Sequence, residues 1–198
     1  MSNDPYLFGA VGLLLVVLLM SLLLYNRLVR GRERTREAWS GIDVQLRRRA
    51  NLVPMLVDTV KGYARHERSV FEEVTRERGR LMEATGAADR ADANGRLSRA
   101  LVRLLAVAEA YPQLRASEPF VELMEDLSDT EEKIAFARHF YNRNVASFNA
   151  RIGSFPHFVV ARTFGFRPFE FFRSTRDERE APRVDLLAVA KGAHRGPP

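Results

Sequence analysis

The protein has 198 residues, which leaves room for one domain of ordinary size beside an anchor and a loose tail. It contains no cysteine, which excludes disulfide bonds, thiolate metal sites and cysteine nucleophiles. The net charge of +6 would suit nucleic acid, but the basic residues cluster after one apolar stretch, so we expect no nucleic-acid binding.

The first element is the apolar stretch Tyr6 to Tyr25, YLFGAVGLLLVVLLMSLLLY, which has no charged side chain. A helix of about 20 residues spans the hydrocarbon core of a bilayer, so we predict a transmembrane helix over 6–25. A cleaved signal peptide and a buried core helix are the alternatives. The leader MSNDP lacks the basic residues of a signal peptide, which favours a retained anchor.

The charges beside this stretch predict its orientation. No basic side chain precedes it, whereas five arginines follow it directly, and the loop side richer in Lys and Arg normally stays cytoplasmic. We therefore expect residues 1–5 outside the cytoplasm and residues 26–172 in a cytoplasmic domain. The five arginines are Arg27, Arg30, Arg32, Arg34 and Arg36.

Apolar residues from Trp39 to Ala64 recur at three-four spacing, which predicts a long helix continuing out of the membrane segment. Pro54 should kink this helix near Ala50, and a break into two helices there is the alternative. A weaker stripe through Val70, Val74 and Leu81 predicts a second helix that ends around Gly86.

The small, polar run GAADRADANG, residues 86–95, is interpreted as a loop, with Asp92 or Asn94 capping a third helix. The stripe of that helix is expected to end at Pro112. Ser117 as N-cap, with Pro119 in the first turn, then starts a fourth long helix. Its stripe comprises Phe120, Leu123, Leu127, Thr130, Ile134, Ala137, Tyr141, Val145, Phe148 and Ile152.

No stretch alternates long enough to predict a strand, so the fold class is all-α. Short connections favour an antiparallel up-and-down four-helix bundle with two long and two short helices, behind the single N-terminal transmembrane helix. The long helices then lack cover in the membrane-proximal half. The residues left uncovered there are Trp39, Ile42, Tyr141 and Phe148.

The phenylalanine-rich segment 153–172 is predicted to supply that cover. We expect residues 155–164 to form a short helix that closes the core. Two interpretations stay open for the later phenylalanines, either core packing or insertion into the bilayer interface. These are Phe166, Phe169, Phe171 and Phe172. Residues 173–198 are predicted to form a disordered tail, in which 184–191 is the only candidate helix.

No pattern of catalytic or ligand-binding residues emerges. The four histidines belong to no HExxH motif, and none follows a glutamate by three residues, which argues against zinc and di-iron sites. No GxSxG, P-loop or GxGxxG motif occurs. The acidic cluster Glu118, Glu122, Glu125 and Asp126 is interpreted as a solvated helix face. We therefore predict no catalytic residue, no metal and no cofactor.

Two groups of polar residues interrupt the helical stripes. Solvent exposure with hydrogen bonds that fix the register is the favoured interpretation, and a surface for a partner protein is the alternative. The candidate partner residues are Asp43, Gln45 and Arg48 on the first long helix, and Asn142 and Asn149 on the last.

Several ordered motifs resemble the LemA family. They are AWSGIDVQLRRRANLVPMLVDTVKGYARHE from Ala38, LLAVAEAYPQLRAS from Leu104, YNRNVASFNARIGSFP from Tyr141, and the FF pair at Phe171. The resemblance implies a bacterial membrane protein with a short external N-terminus, one anchor and a cytoplasmic helical bundle. It supplies no catalytic residues, and it is expected to end near Phe172.

The sequence thus favours a membrane-anchored scaffold or interaction protein of the bacterial inner membrane, with other membrane or envelope-associated proteins as partners. A lipid-interface or membrane-remodelling protein that uses the phenylalanine-rich segment is the alternative, and a metal-binding or enzymatic bundle is the third class. The sequence does not predict the oligomeric state.

Overall fold

The computed structural model describes residues 5–173, with side chains from Phe8 onward, and its regular elements in that range are all helices. The predicted all-α class is therefore confirmed for this part of the chain. The predicted tail, apart from Arg173, lies outside the described residues. The helices are α1 (Pro5–Lys61), α2 (Arg68–Glu83), α3 (Ala87–Glu109), α4 (Pro112–Arg115), α5 (Glu118–Gly153) and α6 (His157–Thr163).

Helix α1 is continuous from the apolar segment into the folded domain, as its stripe predicts. Pro54 lies inside it without ending it, so the predicted alternative of two helices is wrong. Proline lacks an N–H, which leaves the carbonyl of Ala50 without its usual helical donor. The Nε of Arg78, from α2, donates to that carbonyl at 2.7 Å, so a neighbouring helix supplies the missing hydrogen bond.

The N-terminal part of α1, from Phe8 to Leu23, has no buried side chain. Its most apolar 18-residue window has a mean hydropathy of 2.6 and no buried residue. Within residues 5–173 it is the one helix long and apolar enough to cross a membrane. Because these side chains are exposed, the alternative of a buried core helix is wrong, and membrane association is supported.

The loop predicted over 86–95 is wrong, because α3 begins at Ala87. Gly86 makes the turn with a φ of 84°, a conformation that glycine adopts without strain. Asp92 and Asn94 lie inside the helix and do not cap it. The small residues of this run serve close packing, since Ala87, Ala91, Ala93 and Asn94 are buried.

The start of α5 follows the predicted signals. Ser117 occupies the N-cap position and a proline lies in the first turn. However, the Oγ of Ser117 donates to the carbonyl of Leu114 and accepts no hydrogen bond from the first turn of α5. The predicted stripe forms the inner face of α5. Its buried members are Phe120, Leu123, Leu127, Thr130, Ile134, Tyr141, Val145 and Phe148.

Cross-helix contacts define the packing around this stripe. Helix α5 runs antiparallel to α1, since the rings of Trp39 and Tyr141 lie 5.4 Å apart and Arg48 reaches Asp126 further along. Helices α2 and α3 are also antiparallel: Glu73 pairs with Arg103 and Glu77 with Arg96. One core cluster joins residues of α1, α2, α3, α4 and α5.

Candidate partner surface

The five residues predicted as a partner surface fall into two separate environments. Asp43, Gln45 and Arg48 lie on the part of α1 that faces α3 and the middle of α5. Asn142 and Asn149 lie nearer the C-terminal end of α5 and bind the chain that follows α6. The structure therefore does not bring the five residues into one patch.

Asn149 and Asn142 hold the segment 165–173, which we name the C-terminal strap. The Nδ2 of Asn149 donates to the carbonyl of Phe169 at 2.8 Å, and the N–H of Phe169 donates to the Oδ1 of Asn149 at 2.9 Å. Asn142 makes the same pair of bonds with Phe172, at 3.2 and 2.9 Å. Each amide thus satisfies both backbone groups of one strap residue.

Tyr141 adds a third bond to the C-terminal strap. Its hydroxyl donates to the carbonyl of Glu170 at 2.8 Å. Burial, and then the negative charge of Glu170, raises the pKa of Tyr141 to about 12. The hydroxyl therefore remains a donor at any physiological pH.

The strap phenylalanines pack on the helices. Of the two interpretations that the sequence leaves open for them, this favours core packing over insertion into the bilayer interface. Phe172 is buried and lies 6.2 Å from the Trp39 ring. Phe169 lies 5.3 Å from Phe148, and Phe166 lies 5.9 Å from Tyr25. Phe171 is half-buried against the same core. The amides of Asn142 and Asn149 explain this placement, because they fix the strap backbone along the aromatic seam.

The earlier phenylalanines show the opposite behaviour. Residues 157–163 do form the predicted short helix, α6, and its Val160 and Ala161 cover the membrane-proximal end of α1. However, Phe155, Phe158 and Phe164 are 79%, 44% and 59% exposed. The segment therefore covers this end of α1 through Val160 and Ala161, and not through its phenylalanines.

Arg48 bridges α1 and α5 through two carboxylates. Its guanidinium donates to Asp126 and to Asp129, each at 2.7 Å. The hydrogen bond from Lys133 lowers the pKa of Asp129, and the positive charges of Lys133 and Arg48 act in the same direction. Of the acidic cluster predicted as a solvated face, Asp126 is thus paired, while Glu118, Glu122 and Glu125 are exposed.

The neighbouring arginines of α1 are also engaged inside the molecule. Arg49 is buried, where its Nη1 donates to Asn94 at 2.9 Å and pairs with Glu131 at 2.7 Å. Burial lowers the pKa of Arg49, and Glu131 partly offsets the effect. Asp43 pairs with Arg47 and with Arg90 of α3. These pairs fix the register between helices, a use of buried polar groups known from bundles.

Gln45 is the predicted residue that lines an open groove. This α1–α5 groove has a volume of about 670 Å³. The Oε1 of Gln45 is enclosed and has no hydrogen-bond partner among the described residues. The groove is lined by Glu37, Ala38, Gly41, Gln45, Asp129, Glu132, Lys133, Phe136, Ala137 and Phe140.

Sequence reasoning missed Phe136 and Phe140. Phe136 is 73% exposed and Phe140 is also exposed, so both rings border the groove without being buried in it. The available signal was their four-residue spacing, which places both rings on one face of the helix. Each phenylalanine directly precedes a residue of the inner stripe, Ala137 or Tyr141, so this second face lies beside the stripe. Among the described residues, no group of three or more His, Asp and Glu side chains is arranged to hold a metal ion.

Known proteins resemble the chain over most of its length. It is 29% identical to the magnetosome protein MamQ of Magnetospirillum gryphiswaldense, over 87% of the chain and 74% of that relative. It is 28% identical to MamQ 2 of Paramagnetospirillum magneticum, over 83% of the chain and 73% of that relative. It is 24% identical to protein LemA of Metamycoplasma hominis, over 78% of the chain and 71% of that relative.

The sequence model of the LemA family matches residues 38–186. The match includes every lining residue of the groove except Glu37, together with α6 and the C-terminal strap. It also continues beyond Phe172, so the expectation that the family pattern ends there is wrong. With most of the chain matched, this protein is a member of the LemA family.

Proposed function

We propose that this protein is a membrane-anchored interaction protein whose α1–α5 groove binds a helix of another membrane-associated protein. The observation that carries the proposal is the exposure of Phe136 and Phe140 beside an open groove. None of the relatives' names states a reaction, and we propose no enzymatic role.

The proposed anchor is residues 6–25, in a single pass across the inner membrane of a bacterial cell. Its exposed apolar surface would be unfavourable in water and favourable in lipid. The arginines that follow it support a cytoplasmic position for residues 26–172, and residues 1–5 would lie outside. Residue 41, in the groove, would then stand about 24 Å above residue 25, at 1.5 Å per residue.

We further propose that α1, α2, α3 and α5 form the predicted up-and-down four-helix bundle. The antiparallel contacts of α1 with α5 and of α2 with α3 support it, as does the bond from Arg78 of α2 to Ala50 of α1. In this arrangement the groove lies on the outer side of the α1–α5 pair.

The groove suits an amphipathic helix that carries a basic side chain. Ala38, Gly41 and Ala137 form a small-residue floor on which a helix can approach closely, and the two phenylalanines flank it. Glu37 and Glu132 make the rim acidic, although the chain as a whole is basic.

Site-specific photo-crosslinking in cells tests this proposal. A photo-reactive phenylalanine analogue would replace Phe136 or Gln45 in the groove, and Val102, an exposed residue of α3, as the control. We expect one and the same membrane-associated protein to be crosslinked from both groove positions and not from Val102. Phe140→Asp should abolish both crosslinks, because a carboxylate would be desolvated against the partner's apolar face.

Two results would contradict the proposal. Equal crosslinking from position 102 would show non-specific contact. Crosslinking of the groove only to another copy of this chain would assign the groove to self-association instead.

A further inference from the structure

An exposed apolar patch lies on and beside helix α6. We name it the α6 patch: Phe155, Phe158, Val159 and Phe164. Its members are exposed, and the rings of Phe155 and Phe158 lie 6.3 Å apart. Exposed apolar side chains that are grouped in this way often mark a surface that contacts lipid or another protein.

The α6 patch lies at the level where the apolar segment of α1 ends. Val160 and Ala161 of α6 form one buried cluster with Leu24 and Leu28 of α1. The ring of Phe164 lies 4.8 Å from that of Tyr25, the last residue of the predicted anchor. An anchor that crosses the bilayer therefore places α6 at the membrane–water boundary.

The two stretches of sequence that contain the α6 patch and the end of the anchor carry charges of one sign. Residues 5–32 contain no aspartate or glutamate, and neither do residues 133–169. The same two stretches carry nine Lys and Arg residues, and these include the exposed Arg27, Arg30 and Arg162. A protein partner would usually be met by charges of both signs, whereas anionic lipid headgroups are attracted by arginines alone.

We propose that the α6 patch inserts into the headgroup region of the same bilayer that α1 crosses. The inference rests on the proposed anchor, and it adds a second, peripheral membrane contact. An interfacial segment of this kind places its apolar side chains about 5–10 Å into the boundary between headgroups and acyl chains. The arginines would lie above them, against phosphate groups.

The patch would have a mechanical consequence. A single transmembrane helix leaves a domain free to swing about its point of exit. Insertion of α6 beside α1 adds a second fixed point, which limits the directions that the α1–α5 groove can face. The groove would then be presented to partners at a defined height and orientation.

The lack of cysteine makes the test direct, since single cysteines can carry an environment-sensitive fluorophore in the full-length protein. Label sites are Phe158→Cys and Val159→Cys in the patch, Leu15→Cys in the anchor, and Phe136→Cys on α5. The proteins would be reconstituted in vesicles of phosphatidylethanolamine and phosphatidylglycerol. Quenching by a lipid-borne nitroxide would be compared with quenching by aqueous iodide.

We expect both patch labels to be quenched by the lipid nitroxide and to lose most of their iodide quenching, as the Leu15 label does. The Phe136 label should show the reverse. Helical content by circular dichroism, together with Trp39 fluorescence, identifies any label that perturbs folding. Phe158 and Val159 are labelled in separate variants. If one label perturbs folding, the other variant still tests the insertion of the patch.

The outcomes separate this inference from the proposed function. Patch labels quenched by iodide, with the Leu15 label still in lipid, would overturn the inference and leave the anchor intact. Patch labels reached by neither quencher would also overturn it, in favour of a protein or a second copy covering the patch. A Leu15 label outside the lipid would overturn the anchor and the inference together.

Discussion

At the scale of single residues, Asn142 and Asn149 act as backbone-like partners of the C-terminal strap. Asn149→Asp keeps the acceptor for the Phe169 N–H but removes the donor and places a carboxylate against the Phe169 carbonyl. We expect a loss of roughly 1–3 kcal/mol in the free energy of unfolding. Tryptic cleavage after Arg173, at the end of the strap, should become faster when scored by mass spectrometry.

Asn144→Asp is the matched control, because the amide of Asn144 lies on the same helix and donates only to the local carbonyl of Phe140. It should leave cleavage of the strap unchanged. Equal acceleration in both variants would mean that added negative charge on α5, and not loss of the strap bond, is responsible.

His157 predicts a pH dependence of stability. Both of its ring nitrogens are enclosed and lack a hydrogen-bond partner among the described residues. Burial, together with Arg151 of α5 and Arg27 of α1, lowers the pKa of His157 below its ordinary value of 6.5. The unfolded chain then binds more protons at this site, so stability is lost as the pH falls below that ordinary value.

His157→Phe should therefore flatten the lower part of the stability profile, between about pH 5 and 7. Thermal unfolding in detergent micelles, followed by circular dichroism, measures it. His139→Gln, at an exposed position of α5, controls for the loss of a histidine. A profile that keeps its slope in His157→Phe would contradict the assignment.

What the sequence reveals at this scale is the presence of the asparagines but not their partners. Asn142 and Asn149 stand out because they repeat after seven residues beside aromatic residues. Phe169 lies 20 residues after Asn149, and Phe172 lies 30 residues after Asn142. Both phenylalanines belong to a segment without helical or strand periodicity. No sequence pattern relates the two sets, so only the folded chain shows the pairing.

At the scale of helices, α1 and α2 share a hydrogen bond that lets α1 continue through Pro54. Arg78→Met keeps an unbranched side chain but leaves the buried Ala50 carbonyl without a donor, which should cost about 1–3 kcal/mol. In the Pro54→Ala background, residue 54 regains an N–H that can donate to that carbonyl. The same Arg78 substitution should then cost less.

A double-mutant cycle measures this coupling through the unfolding free energies of the two single variants, the double variant and the parent protein. We expect an interaction energy of about 0.5–3 kcal/mol between positions 54 and 78. Identical costs of Arg78→Met in both backgrounds would show that the arginine stabilises α1 by some other contact.

Helical stripes explain which elements the sequence predicts correctly. The stripes of α1 and α5 hold large apolar residues at three-four spacing, and both helices form along their predicted lengths. The first turns of α3 bury alanines and Asn94 instead, and such small residues give no apolar stripe even though they pack closely. Composition alone therefore suggested a loop where the chain is helical.

At the scale of the whole molecule, the C-terminal strap connects the membrane-proximal end to the α2–α3 turn. It leaves α6 beside Leu24, follows α5 past Asn149, and ends with Phe172 against Trp39. Between these points Glu170 lies beside the α2–α3 turn, since a Cβ added to Gly86 would lie 3.6 Å from the Oε2 of Glu170. The strap thus contacts parts of the fold that are far apart in sequence.

Truncation tests whether the strap completes the fold. Removing residues 164–198 deletes five phenylalanines. Four of them pack against the core clusters, including the buried Phe172, so the truncation should destabilise the protein by at least about 3 kcal/mol. Trp39 is the only tryptophan and loses its contact with Phe172, so its emission should shift to longer wavelength. Removing only residues 174–198 keeps every strap contact described above and should leave both the emission and the unfolding temperature unchanged. If the two truncations behave alike, the contacts of residues 164–173 do not carry the stability assigned to them.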